Sequence, residues 1–259
     1  MNLNDIGTQL LFTTLPIWVQ KIDGSTSVGT AFFYVKPLEN GNSIPFLVTN
    51  EHVVRNPYKG YISLMKKEGE LPNPNNKITV EIEGRNLIQY TDMENDIAVI
   101  PIGPILNQLQ QRNIEVFFRS ITPDLVPEEK VLSDLSAIEE VTFIGYPSGI
   151  SDRENNTPIV RKGITATPIW NNYNGKPDFL IDAGVFPGSS GSPVLILNRG
   201  SYATKSGITI GNRILFTGII TSTMLRNENE SSKVYLGLGQ VVKSEILKNF
   251  VDSLVNQLS

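Results

Sequence analysis

The chain has a single histidine, His52, and its sequence context is the most informative about a possible chemical role. An imidazole can act as a general base near neutral pH, although a lone histidine is more often a structural residue. Its surroundings favour catalysis, because His52 follows an apolar, strand-like segment in LVTNEHVV, where the chain turns and can hold a side chain at the rim of a sheet. One histidine also excludes HExxH metalloprotease sites and His-rich zinc sites.

Two further residues can complete a nucleophilic site. Asp96, in NDIAVI, precedes an apolar run, so its carboxylate needs a hydrogen-bonding partner at the mouth of a buried strand. Taken alone, it would be better explained as a turn residue. Ser190, in VFPGSSGSPV, lies in a glycine-containing turn that presents a hydroxyl and leaves backbone N–H groups available to an oxyanion. The alternative for Ser190 is an ordinary surface turn. A serine attacks a carbonyl only when a base, oriented by a carboxylate, removes its proton.

Other kinds of site fit the sequence less well. Asp92, Glu94 and Asp96 mimic a calcium loop, but Ile97 stands where the sharp turn of an EF-hand requires glycine. The absence of cysteine excludes disulfides, thiolate nucleophiles and iron–sulfur clusters, and it favours a reducing, cytoplasmic location. No GxSxG motif is present, which excludes an α/β-hydrolase. We therefore expect neither a metal nor a cofactor.

The charge balance bears on partners. The 259 residues include 26 acidic and 22 basic ones, for a net charge of −4, and no basic block is longer than Lys66–Lys67. Nucleic acid is therefore not an expected partner. No run approaches the roughly 18 to 20 apolar residues that span a bilayer, and residues 10–19 lack the basic start and cleavage site of a signal peptide. We expect a globular protein without a membrane partner.

Short segments rich in β-branched and aromatic residues predict two groups of strands. The first group is residues 17–22, 29–35, 46–49, 78–82 and 97–102, and the second is residues 141–145, 163–169, 179–182, 193–197, 214–222 and 234–238. A crossover with a helical stretch at residues 106–112 separates them. We expect an all-β fold of two antiparallel barrels, one in residues 1–118 with His52 and Asp96, the other in residues 119–259 with Ser190.

The C-terminal segment has a different pattern. Apolar residues recur at helical spacing behind Ser244, a residue suited to a helix N-cap: Ile246, Leu247, Phe250, Leu254 and Val255. The pattern predicts an amphipathic α-helix from Ser244 to Leu258. Its polar face is not basic, so we expect it to pack on the second barrel.

Together these motifs resemble the chymotrypsin-like (trypsin-like) serine proteases, and within them the bacterial HtrA-like branch. LVTNEHVV, NDIAVI and GSSGSP occur in the His, Asp, Ser order of that clan, and the three residues are 44 and 94 positions apart. Further segments are similar to successive strands of the family: GTAFFYV, VTFIGYPSG, VRKGITATP, IDAGVFPGSSGSPV, LFTGIITS and LGLGQVVKSEILKNFV. The resemblance extends over most of residues 17–255.

The resemblance implies a serine endopeptidase that acts on protein or peptide substrates through an acyl-enzyme. Ser190 would be the nucleophile, His52 the general base and then acid, and Asp96 the group that orients the imidazole. Backbone N–H groups of Gly188 and Ser190 would form the oxyanion hole.

The resemblance also implies where a substrate side chain would bind. The walls would come from Gly184 and Phe186 and from the strand segment Ile220, Thr221 and Ser222. None of these residues is charged, so we expect a small or medium apolar side chain at the cleaved position.

Some positions depart from the family pattern. Ser189 stands where secreted digestive relatives carry an aspartate that pairs with a newly cut N-terminus, and Ser192 replaces a second glycine after the nucleophile. Only 19 residues follow Gln240, so we expect no PDZ module. These departures leave open a catalytically silent pseudo-protease that binds peptides. A processing protease of the viral type with the same fold is a further alternative.

Overall fold

The computed structural model describes residues 2–205, 207–229 and 232–258. The strands are β1 Thr14–Lys21, β2 Thr26–Pro37, β3 Ser43–Thr49, β4 Pro57–Glu68, β5 Leu71–Glu83, β6 Thr91–Asp92, β7 Ile97–Pro101, β8 Glu140–Gly145, β9 Ile159–Thr165, β10 Asp178–Asp182, β11 Pro193–Asn198, β12 Ser201–Thr204, β13 Gly207–Ile210, β14 Arg213–Asn229 and β15 Ser232–Lys243. The helices are α1 Ile6–Leu10, α2 Glu51–Val54, α3 Gly84–Leu87, α4 Gly103–Gln111, α5 Glu129–Asp134 and α6 Ser244–Leu258. The predicted all-β class with a C-terminal helix is confirmed. No described helix has the length and apolar character needed to cross a bilayer.

Contacts between residues divide the chain into two units. The first extends to Pro123 and also contains Ile144–Ile159 and Gly188–Ser192. The second contains Asp124–Phe143, Val160–Pro187 and the residues from Pro193 onward. The segment that carries Ser190 thus groups with the residues around His52 and Asp96, whereas the sequence-based division after residue 118 separates them. The physical reason is that this segment is hydrogen-bonded to β2.

An antiparallel sheet of seven strands, in the order β5-β4-β1-β2-β3-β7-β6, forms the first unit. Its strands alternate as a half-buried sheet requires: in β1, Ile17 and Val19 are buried, while Trp18 is exposed. The pairing of β3 with β7 decides where the site lies. Thr49, the last residue of β3, is opposite Ala98 near the start of β7. The residues that follow β3 and those that precede β7 therefore lie next to each other, at the same end of the two strands.

The second unit contains a closed barrel with the strand order β10-β15-β14-β11-β8-β9. Side chains from five of these strands fill its core: Val141, Phe143, Phe179, Ile181, Val194, Ile196, Ile220 and Val241. Helix α6 contacts β14 and β15, as predicted. It buries Leu247, Val251, Leu254 and Val255, which lie on one face at a spacing of three to four residues.

Several elements differ from the sequence-based prediction. Strand β4 was not predicted, because lysines and a glycine interrupt its apolar residues, yet it lies between β1 and β5. The predicted strand at residues 163–169 ends at Thr165, because the N–H groups of Ala166 and Thr167 both turn to the carbonyl oxygen of Leu180. Helix α4 begins earlier than the predicted residues 106–112, with a proline in its first turn, where no N–H is needed.

Candidate active site

His52 lies on α2, a single helical turn directly after β3. The two residues that follow it, Val53 and Val54, are buried in the core of the first unit and anchor this turn. The side chain of His52 is 39% exposed. The imidazole is therefore held at the rim of the sheet, where the sequence predicts it.

Asp96 is positioned by a backbone turn immediately before β7. Its φ of 55° lies in the left-handed region, which is uncommon for a residue with a side chain. The carbonyl oxygen of Asp96 accepts hydrogen bonds from the Asn50 side-chain amide at 2.9 Å and from the Glu51 backbone N–H at 3.3 Å. These bonds join the turn to the residues around His52.

The carboxylate of Asp96 contacts His52 with both oxygens. Oδ2 lies 2.7 Å from His52 Nδ1, and Oδ1 accepts the backbone N–H of His52 at 2.9 Å. Because a carboxylate accepts hydrogen bonds, this contact favours the tautomer with its proton on Nδ1. Nε2 is then the basic nitrogen, as a general base for a hydroxyl requires.

The calcium-loop alternative does not agree with the contacts of this turn. Asp92 Oδ1 accepts the backbone N–H groups of Glu94 and Asn95, both at 3.0 Å, and Oδ2 accepts the Asn95 amide at 2.7 Å. Asp92 therefore stabilises the turn, while Asp96 contacts His52. Within the described ranges, no cluster of His, Cys, Asp and Glu side chains is arranged to hold a metal ion.

The turn around Ser190 depends on glycine at two positions. Gly188 and Gly191 have φ values of 88° and 85°, where a side chain is strained. A Cβ at Gly188 would lie 2.5 Å from the carbonyl oxygen of Tyr146, and a Cβ at Gly191 would overlap the carbonyl oxygen of Thr30. The N–H of Ser192 closes the turn on the carbonyl oxygen of Ser189 at 3.0 Å.

Strand β2 holds this turn beside α2. The backbone N–H of Thr30 donates to the carbonyl oxygen of Ser190 at 2.8 Å, and its hydroxyl donates to that of Gly188 at 2.9 Å. At the adjacent Gly29, a Cβ would lie 2.8 Å from both γ-methyl groups of Val53 and 3.3 Å from the Ser190 carbonyl oxygen. The Ser190 backbone and the helical turn carrying His52 thus both lie against Gly29, where there is no room for a side chain.

Gly29 and Thr30 were not recognised as site residues in the sequence. The available signal was the segment GTAFFYV, whose glycine opens a strand otherwise made of residues that favour sheets. A glycine at such a position often marks the close approach of another backbone.

The two serines that flank Ser190 are buried. Ser189 and Ser192 are 1% and 0% exposed, and their hydroxyls have no hydrogen-bond partner in the described part of the chain. Ser192 Oγ lies against Gly145, where any side chain would overlap it. The pair Gly145 and Ser192 is therefore matched in volume.

Within the second unit, the predicted substrate-binding residues Gly184 and Phe186 lie against a cation. The guanidinium of Arg161 is 4.9 Å from the centre of the Phe186 ring, and a Cβ at Gly184 would lie 2.5 Å from Arg161 Nη2. The other neighbour of Phe186 is Tyr235, with ring centres 5.7 Å apart. The sequence-based expectation of uncharged walls therefore omitted Arg161, which the motif VRKGITATP contains.

The predicted residues on β14 differ in accessibility. The side chain of Ile220 is fully buried in the barrel core, so it is not available to a substrate. Thr221 donates from Oγ1 to the carbonyl oxygen of Gln240 at 3.3 Å. Ser222 is exposed, with its hydroxyl 3.3 Å from Gln240 Oε1. Of the three, Ser222 is the exposed one.

Comparisons with known proteins agree with this architecture. Residues 29–201 match the profile of the trypsin-like peptidase domain. A comparison with curated protein sequences gives no match. The chain is similar to the solved structure of the HtrA-type protease AlgW with a tripeptide, at 15% identity and a TM-score of 0.54, covering 96% of this chain and 62% of that one.

Two other solved proteases are similar over nearly the whole chain. The serine endoprotease from Yersinia pestis is 15% identical with a TM-score of 0.53, covering 99% of this chain and 67% of that one. A protease from M. tuberculosis in its active form is 14% identical with a TM-score of 0.50, and the match covers 95% of this chain and 82% of that one. Identities this low show a shared fold, and the chain spans less than two thirds of the length of AlgW. Because the profile match covers more than half of the sequence, the chain belongs to the trypsin-like peptidase domain family.

Proposed function

We propose that the chain is a serine endopeptidase that hydrolyses peptide bonds through an acyl-enzyme, with His52, Asp96 and Ser190 as its catalytic residues. The observation that carries the proposal is the double contact of Asp96 with His52, at 2.7 Å to Nδ1 and 2.9 Å to the backbone N–H. This contact orients the imidazole, and Val53 of the same helical turn lies, like the Ser190 carbonyl oxygen, against Gly29. An imidazole oriented by a carboxylate is the base that makes a serine hydroxyl nucleophilic.

In the proposed acylation step, Ser190 Oγ forms a bond to the substrate carbonyl carbon while its proton passes to His52 Nε2. The carbonyl oxygen becomes an anion, which the backbone N–H groups of Gly188 and Ser190 stabilise. His52 then gives its proton to the leaving amine as the C–N bond breaks. Asp96 remains ionised and stabilises the imidazolium in between.

Deacylation repeats these steps with water. His52 takes a proton from the water as the oxygen attacks the acyl carbon, and it returns the proton to Ser190 Oγ when the ester bond breaks. The AlgW structure with a tripeptide supports the proposal that the substrate is a peptide. In the second unit, Phe186, together with Arg161, is the proposed contact for a substrate side chain.

A fluorophosphonate probe tests the proposal, because it forms a covalent adduct only with an activated serine. We expect one adduct per wild-type chain, placed on Ser190 by mass spectrometry of the digested protein. Ser190→Ala should abolish labelling, and turnover of an unstructured protein substrate should fall by about 10⁶-fold.

Ser189→Ala is the matched control, since it removes the neighbouring hydroxyl, which is buried and has no partner in the described residues. It should label like the wild type. Folded wild-type protein that forms no adduct, or an adduct that persists in Ser190→Ala, would contradict the proposal. The first of these results would favour the pseudo-protease that binds peptides.

A further inference from the structure

Thr30 bonds the Ser190 turn through both its backbone and its side chain. Its side chain is fully buried in β2. The backbone N–H donates to the carbonyl oxygen of Ser190 at 2.8 Å, and the backbone carbonyl oxygen accepts the Thr49 hydroxyl at 2.8 Å. The Thr30 hydroxyl donates to the carbonyl oxygen of Gly188 at 2.9 Å and accepts the N–H of Tyr146 at 3.0 Å.

The hydroxyl of Thr30 therefore joins two segments that are distant in sequence. The partners of this hydroxyl, Gly188 and Tyr146, are 158 and 116 positions away from Thr30. A hydroxyl can donate and accept at the same time, so one oxygen satisfies a buried carbonyl and a buried N–H group. Valine has nearly the same shape but can do neither, and both backbone groups would lose this partner without access to water.

Gly188 is the residue where such a restraint matters. Without a Cβ, glycine rotates between backbone conformations at low cost, and Gly188 has a φ of 88°. The direction of its N–H group depends on that conformation. An oxyanion is stabilised only by donors that are already directed at the position where the charge develops.

We propose that Thr30 is a positioning residue that holds the Gly188–Ser190 backbone in the geometry that binds the oxyanion. The inference rests on the proposed function. The Thr30 hydroxyl orients the peptide group after Gly188, and the Thr30 N–H fixes the carbonyl group of Ser190. Thr30 thereby lowers the barrier of the chemical step and leaves substrate binding almost unchanged.

The test compares Thr30→Val, Thr30→Ser and Thr13→Val. Serine keeps the hydroxyl. Thr13 is the matched control, because it is also buried, in the same unit, and its hydroxyl donates to a backbone carbonyl, that of Leu10, at 2.7 Å. In Thr30→Val, kcat should fall at least tenfold, but by less than the roughly 100- to 1,000-fold that loss of an oxyanion donor costs.

KM should stay within about twofold of the wild-type value, because ground-state binding does not use the oxyanion hole. Thr30→Ser should restore kcat to within about threefold, and Thr13→Val should leave it unchanged. Binding of a peptide boronate, whose adduct imitates the tetrahedral intermediate, should weaken in parallel with kcat.

Hydrogen–deuterium exchange of residues 186–193 gives a readout that needs no activity. In a Ser190→Ala background, Thr30→Val should accelerate exchange in this segment, whereas Thr13→Val should not. If Thr30→Val does not fold, Thr30→Ala takes its place in both measurements. An active wild type whose Thr30→Val variant keeps its kcat and its exchange rate would overturn the inference. A wild type without turnover, combined with faster exchange in the variant, would contradict the proposed function and support the positioning role.

Discussion

Both carboxylate oxygens of Asp96 bind His52, one at the ring nitrogen Nδ1 and the other at the backbone N–H. The same residue thus orients the imidazole and ties the helical turn that carries it to the start of β7. A carboxylate can accept at both oxygens, whereas an amide accepts at one and donates at the other. Asparagine cannot reproduce the arrangement.

Asp96→Asn should therefore reduce kcat by about 10⁴-fold, the loss expected when the imidazole is held in the wrong tautomer. The measurement is steady-state hydrolysis of a peptide substrate by protein whose folding is checked by circular dichroism. Asp92→Asn is the control, since Asp92 lies in the same turn and contacts Glu94 and Asn95 instead of His52. A folded Asp96→Asn protein whose kcat is within tenfold of the wild-type value would contradict the role proposed for Asp96.

The pair Gly145 and Ser192 predicts a non-additive effect on stability. Gly145→Ala should lower the free energy of unfolding by about 1–3 kcal/mol, because its Cβ would overlap Ser192 Oγ and approach Thr30 Oγ1 to 2.6 Å. Adding Ser192→Ala should recover part of this loss, since the first of these overlaps disappears. Urea unfolding of the two single variants and the double variant measures the coupling.

Gly103→Ala provides the comparison for that cycle. Its Cβ would meet Pro45 at 3.9 Å, an ordinary contact, so its effect should add to that of Ser192→Ala. If the coupling energy of Gly145→Ala with Ser192→Ala equals that of Gly103→Ala with Ser192→Ala, the packing of Ser192 against Gly145 is not the cause of the effect.

The burial of the Tyr146 phenol leads us to expect that the free energy of unfolding falls at alkaline pH. Burial raises the pKa of the Tyr146 phenol above its usual value, outweighing the opposite effect of the hydrogen bond to Thr14. A group whose pKa is raised by folding contributes stability below its unfolded pKa, about 10 for tyrosine, and that stability is lost as the pH rises toward the folded pKa.

The wild type should therefore lose more stability than Tyr146→Phe as the pH rises above 10, and the difference in slope should approach about 1.4 kcal/mol per pH unit. Urea unfolding of both proteins between pH 8 and 11 measures the difference, and the other tyrosines and lysines cancel in the comparison. At pH 8 the two proteins should have similar stability, because the Tyr146 hydroxyl makes a long bond to the Thr14 carbonyl oxygen, at 3.3 Å. Parallel curves up to pH 11 would contradict the assignment.

From the position of the Arg161 guanidinium we expect a preference for acidic substrate side chains. Its guanidinium lies against Gly184 and Phe186, and in the described residues no carboxylate forms an ion pair with it. Peptides with glutamate at the cleaved position should therefore have a kcat/KM about two- to fivefold higher than the same peptides with glutamine, as for a partly exposed ion pair.

Arg161→Gln should remove this preference. Lys162→Gln should not, because Lys162 points to the other side of β9 and pairs with Glu140 at 2.5 Å. Equal cleavage of the two peptides by the wild type, or the same loss in both variants, would exclude Arg161 as the cause.

The candidate site could be predicted where its signals are local. His52 is the single histidine, and the glycines around Ser190 mark a turn whose φ values few other residues tolerate. The strand that follows Asp96 was predicted from its apolar run alone. The helical turn α2 was not predicted, because four residues are too short to show a helical period.

The sequence by itself determined the all-β class, the C-terminal helix and the residue types able to activate a serine. The tertiary structure alone decided that Asp96 contacts His52, that Thr30 bonds the Ser190 turn, and that Arg161 lies beside Phe186. It also decided that Ile220 faces the core, where it is opposite Val241 of β15, another core residue. Hydropathy and turn propensity act between neighbours in sequence, whereas a hydrogen bond requires its two atoms about 3 Å apart. Only the tertiary fold brings residues as distant in sequence as Thr30 and Gly188 to that separation.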